Sequence, residues 1–233
     1  MSANNRSRYL AGVLKCFVSI CAASIQLQSH AGSGQVPEGF PEAHYRQAKE
    51  SGSKILLVDS ARSIVIIEVR RAGPVSWLGH DHVVVSRDLS GYISLEEGLA
   101  DLFIPLEKLV MDEAEIRIET GYKTQLSKKD IEATFLNMQN KTLESGRFPF
   151  ALIHVIRASA NRPEMNMSIS LHGITRTYEV RANIEKVSNG VSVDGRMSLK
   201  QTDFGISPIS VLGGAIQVQD KLDLRFHILA QNY

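Results

Sequence analysis

The six residues Trp77-Leu78-Gly79-His80-Asp81-His82 hold the densest set of groups in the chain that could do chemistry. Two imidazoles flank one carboxylate. In extended backbone His80 and His82 project to one side and Asp81 to the other. Two same-side imidazoles are half of a metal site, and beside a carboxylate they can also move protons. A zinc site, however, takes three or four protein ligands. The candidates for a third, His154, His172 and His227, are remote in sequence. The reading these residues favour is mechanical: Asp81 or the histidines hydrogen-bond a turn that leads into a strand, with metal binding as the alternative. His80 and His82 are therefore the candidate metal ligands of a chain in which no metal set is complete and no catalytic residue is assigned.

Two further strings carry similar groups. In Leu171-His172-Gly173-Ile174-Thr175-Arg176, the glycine suits positive φ at a strand reversal, and His172 can bond nearby backbone. Asp203-Phe204-Gly205 reads as a strand end with Phe204 packed inward, because the chain has no Gly-rich or catalytic-loop signals beside it. Nucleophile elbow, phosphate loop and dinucleotide fingerprint are all missing from the sequence. The formal net charge of +1 gives no electrostatic footprint for nucleic acid.

The elements that must position these groups are strands. Met165, Met167, Ile169 and Leu171 alternate with polar residues, as do Tyr178, Val180, Ala182 and Ile184. Ile216 and Val218 share this pattern with Leu222, Leu224, Phe226 and Ile228. Period two gives each strand one dry and one wet face, the pattern of an antiparallel sheet. Further strands are expected at 54–58, 63–71, 83–95, 99–106, 149–159 and 191–202. One amphipathic helix is expected, capped by Ser127, with Ile131, Phe135 and Met138 on one face and Gly146 and Pro149 ending it. Eight or so strands with one helix predict an all-β fold, a single eight-stranded antiparallel barrel whose closure removes sheet edges. A β-sandwich is the rival.

The N-terminus has Arg6, Arg8 and Lys15 before a short apolar run, Cys16 to Ile25, too short for the ~20 residues of a membrane span. This is the pattern of a secretory signal peptide, with cleavage expected after Ala31. Both cysteines, Cys16 and Cys21, would leave with it. The chain is then divided into a signal peptide (1–31), a flexible lead-in (32–53) with room for a loosely docked short helix, and a barrel domain (54–233).

Five fragments in order carry a resemblance: Val58-Asp59-Ser60-Ala61-Arg62-Ser63, Ser90-Gly91-Tyr92-Ile93, Arg147-Phe148-Pro149-Phe150-Ala151, Leu171 to Arg176, and Thr202-Asp203-Phe204-Gly205-Ile206. Together they resemble the YceI-like family of periplasmic polyisoprenoid-binding proteins, from about Leu57 to Ala230. The resemblance implies an eight-stranded lipocalin-like barrel that holds an extended isoprenoid or similar lipid. Gln201-Thr202 departs from the family, which often has an Arg before the Asp-Phe-Gly. Residues 111–126 match poorly, so no ligand contact is carried over to them.

The expectation is a periplasmic, exported binding or carrier protein, not an enzyme, for a long apolar lipid of polyisoprenoid or isoprenoid-quinone type, with no cofactor beyond that lipid. Its walls are expected on the dry parity, from Met167, Ile169, Val180, Ile184, Leu222, Leu224 and Phe226, with Phe204 and Trp77 as further contacts. A membrane redox partner is one partner class open to it, and monomer and homodimer are equally compatible with the sequence. The alternatives are a metal- or redox-associated protein using His80 and His82, or a structural stress-response barrel.

Overall fold

The computed structural model describes residues 35–157 and 163–233. The expected signal peptide, its cysteines and the cleavage point after Ala31 lie outside these residues. The strands, in chain order, are β1 (Ile55–Val58), β2 (Ile64–Val69), β3 (Arg71–Ala72), β4 (His82–Ser86), β5 (Ser90–Ser94), β6 (Leu99–Pro105), β7 (Val110–Met111), β8 (Phe150–Ile156), β9 (Glu164–Leu171), β10 (Ile174–Val187), β11 (Gly190–Lys200), β12 (Ser210–Val211), β13 (Ile216–Val218) and β14 (Lys221–Asn232).

Strands β1, β5, β6, β8, β9, β10, β11 and β14 form a ring that β14 closes on β1, with every pairing antiparallel. The result is a closed eight-stranded barrel. Its longest seam is β11 on β14, from Gly190↔Gln231 to Lys200↔Lys221. On the other edge of β14, β1 takes residues 230–232 and β2 takes residues 223–227. Strand β4 then adds to β2, and β7 to β4. A separate sheet, β12-β13-β3, forms a small flap.

The break between β1 and β2 is built, not accidental. Asp59 caps a single turn at Ser60–Arg62, its carboxylate accepting from Arg62 N–H at 3.2 Å. Buried Ser63 then mends the ladder: its Oγ accepts from Leu229 N–H at 3.0 Å and donates to Leu229 O at 3.4 Å. The Asp59–Ser63 string carried by the resemblance is therefore the joint between two strands, those expected at 54–58 and 63–71. Ser63→Ala leaves a buried N–H without this acceptor. We expect a loss of about 1–3 kcal/mol in urea unfolding at unchanged barrel content by circular dichroism.

The single strand expected at 83–95 is likewise two, β4 and β5, paired with β2 and β1 respectively. Gly91, at φ 146, allows the crossing to β6, because a Cβ there would lie 2.1 Å from Asp101 O.

Three helices are present among the described residues where one was expected. The expected one is α3 (Lys128–Asn137), capped by Ser127 through Asp130 N–H at 3.1 Å and continued as a wider turn at Met138–Thr142. Helix α2 (Ala114–Thr120) lies in the stretch that matched poorly. Helix α1 (Glu42–Glu50) is the short helix for which the lead-in left room. Tyr45 is fully buried, stacks on Tyr92 at 5.2 Å and donates its hydroxyl to Asp101 at 2.7 Å, which pins the helix to the barrel wall. Burial beside the Asp101 carboxylate also pushes the Tyr45 phenol up, and burial pushes Tyr92 up to about 12.

Candidate functional site

The inner parity of the ring is apolar, and it does not fill the barrel. A cavity of about 200 Å³ lies toward the end carrying α3 and the flap. It is walled by β2 (Val65, Ile67, Val69), β6 (Leu102, Ile104), β9 (Met167, Ile169, Leu171), β11 (Met197, Leu199) and β14 (Leu222, Leu224, Phe226, Ile228). Met138 and Leu143 close it from the helical side, and Ile209 and Val218 from the flap. A second cavity of about 80 Å³ lies toward the β5–β6 turn, with Ile184, Val191 and Val193 in its wall. Leu102, Met167, Phe226 and Ile228 border both, so these four side chains are the partition. Phe226 has its place because the facing residue is Gly195, where a Cβ would come within 2.2 Å of the ring.

Of the residues expected to line a ligand site, Met167, Ile169, Leu222, Leu224 and Phe226 border the large cavity and Ile184 borders the small one. Val180 and Phe204 are buried in the core and border neither. Phe204 closes a single turn, Gln201–Phe204, with its ring 6.4 Å from that of Tyr178. Trp77 is a correction. It stands on the turn Ser76–Leu78 outside the barrel and is 68 % exposed. Polar residues 76 and 80–81 on either side keep that turn at the surface, and Trp77 has no place in the wall.

In the histidine loop the structure holds hydrogen bonds that tie down the entry to a strand, and not the same-side pair that an extended loop would give. His80 precedes the strand and is exposed, whereas His82 begins β4 and borders the large cavity. The Nδ1 of His82 lies 2.6 Å from the carboxylate of wholly buried Asp112. The other Asp112 oxygen accepts from Val83 N–H at 3.1 Å and from Arg117 at 2.5 Å. Buried Arg117 also donates to Asp81 O at 2.7 Å and Thr124 O at 2.8 Å. Asp81 in turn accepts from Arg71 N–H at 2.9 Å. Burial alone would raise the Asp112 carboxyl, but the hydrogen bond and charge of His82, the Val83 N–H and Arg117 together hold it below its usual value. This is an ionic brace in which both Asp112 oxygens are bonded, and it fixes the entry to β4. Among the described residues, no three His, Cys, Asp or Glu side chains converge as metal ligands.

The few polar groups on the cavity wall gather at the helical end: His82, Thr134, Thr142 and Gln201. Gln201 donates to Gln219 O at 2.8 Å, and the buried Thr142 hydroxyl has no hydrogen-bond partner among the described residues. At the β9–β10 turn, His172 (φ 52) and Gly173 (φ 76) make the two-residue reversal expected there. His172 bonds Glu144 at 3.2 Å instead of nearby backbone.

An apolar chamber inside a closed eight-stranded antiparallel barrel defines a class of small, hollow β-barrel. The chain belongs to the YceI-like domain family, whose model matches residues 76–230. Among curated proteins no relative matches. Among solved structures, the chain is similar to a polyisoprenoid binding domain from Saccharophagus degradans implicated in plant cell wall breakdown: TM-score 0.56, 14% identity, covering 78% of this chain and 99% of that one. It is also similar to Burkholderia cenocepacia BcnA, with TM-score 0.52, 13% identity, and coverage of 73% and 98% respectively. At these identities the likeness concerns the fold.

Proposed function

We propose that the protein is a periplasmic carrier, exported by its N-terminal segment, that binds one long apolar lipid of isoprenoid type inside the barrel and catalyses no reaction. The observation that carries this reading is the aliphatic chamber of about 200 Å³ within the ring. At about 24 cal/mol per Å³, leaving that volume empty costs on the order of 5 kcal/mol, a large share of a domain's stability. An apolar guest offsets that cost, whereas water entering among aliphatic walls does not. Each buried methylene contributes about 0.8 kcal/mol, so one isoprene unit supplies roughly 3–4 kcal/mol. A long prenyl chain exceeds the volume available, and its natural extension is through the Phe226 partition into the second cavity. The polyisoprenoid-binding relative supports the same class of guest.

Organic extraction of the purified protein, followed by mass spectrometry, tests the reading. The expected yield is about one lipid per protein. Protein recovered from lipid-containing cells with no extractable lipid, and unable to take up a prenyl lipid added in detergent, would overturn it.

A further inference from the structure

The flap β12-β13-β3 faces two environments. Ile209, just before β12, and Val218 in β13 border the large cavity. The same flap and its turns expose Trp77 (68 %), Leu78 (61 %), Val211 (48 %) and Leu212 (74 %). These side chains share one framework. Val75 N–H donates to Ala215 O at 3.1 Å, Gly79 sits so close to Ile216 that a Cβ would lie 2.9 Å from it, and Val211 pairs with Ile216. Leu212 is also held at φ 53, followed by Gly213 at 65 and Gly214 at 95. Left-handed backbone suits Gly or Asn and is costly for Leu. At this position the fold gains neither burial nor backbone comfort from a leucine. Single exposed apolar residues are ordinary. Four on one flap, whose sheet also walls the cavity, call for a partner.

We propose that this flap docks the protein on a lipid bilayer, with Trp77, Leu78, Val211 and Leu212 entering the interface. The inference rests on the carrier reading. A lipid moving between bilayer and barrel needs an apolar path, and this sheet joins the cavity wall to the outer surface. Tryptophan favours the membrane–water boundary, and shallow insertion of a few apolar side chains gives the reversible binding that a carrier needs.

Trp77 is the only tryptophan in the chain, so intrinsic fluorescence reads this flap alone. Titration with phosphatidylcholine vesicles should shift its emission to the blue, and vesicles with brominated acyl chains should quench it. The double variant Leu78→Ser/Leu212→Asn retains the probe. It should lower vesicle partition at least about tenfold, with an unfolding midpoint unchanged or raised because Asn suits the left-handed position. The docking surface is overturned if wild type shows neither shift nor quenching, or if the double variant partitions like wild type. It is also overturned by a blue shift that grows with protein concentration without vesicles, which would mean that a second copy covers the flap. Lipid extracted from the same preparation separates the two levels. Bound lipid with a flap that ignores vesicles removes docking alone, whereas an empty barrel removes the carrier reading beneath it.

Discussion

Leu224→Trp is expected to empty the barrel while leaving it folded. Leu224 is in the middle of β14, between Met197 of β11 and Ile67 of β2, and all three side chains border the large cavity. An indole in that position projects into free volume of about 200 Å³. Cavities of ~150 Å³ lined by similar side chains accept benzene, so the ring can be housed without displacing the strands. The guest is then excluded by volume. Extracted lipid should fall from about one per protein to less than about a tenth, with circular dichroism unchanged. Leu224→Ala makes the opposite change. It enlarges the chamber, costs about 2–5 kcal/mol in the empty protein, and should retain lipid. If both variants carry wild-type lipid, the guest lies outside the chamber. If Leu224→Trp unfolds, the residue belongs to a filled core and the carrier reading loses its main support.

How much of this was legible in the sequence depended on whether a strand has a wet face. Strands β9, β10 and β14 do, and their alternation announced both the strands and five residues of the cavity wall. Residues 64–69 and 83–85 do not. Val65, Ile67 and Val69 face the cavity, while Ile66, with Val83 and Val85, packs outward under Ile116 of α2. With both parities apolar, period two vanishes from the sequence, and the β2 part of the wall could not be read. Trp77 misled in the opposite direction. Its apolar bulk suggested burial, but that inference runs one way only, because surfaces also carry apolar residues. The Asp112–Arg117 brace had no signal at all. It joins His82 to an acid 30 positions away, through a stretch with no motif, and only the β4–β7 pairing brings them together.

That brace gives the largest stability effect expected from a single side chain outside the cavity. Asp112→Ala leaves Arg117 buried with its charge uncompensated, still bonded to the carbonyls of Asp81 and Thr124. Breaking a buried pair by removing one partner costs about 3–5 kcal/mol, much of it the desolvation of the charge left behind. The second change therefore separates charge from shape: Asp112→Ala/Arg117→Met should recover about half of the loss, as a non-additive cycle. The pH dependence has a defined sign. The native Asp112 carboxyl titrates below its usual range, so its contribution is complete above about pH 4 and is lost as the pH falls through the native value. Urea unfolding of wild type and Asp112→Asn at a series of pH values should show a gap that is constant near neutrality and narrows on acidification. A gap that instead widens as the pH falls from neutrality toward about 4, and then levels off, would mean that the carboxyl is protonated in the native protein. The brace would then be a neutral hydrogen-bond cluster, and the Arg117 charge would be answered elsewhere.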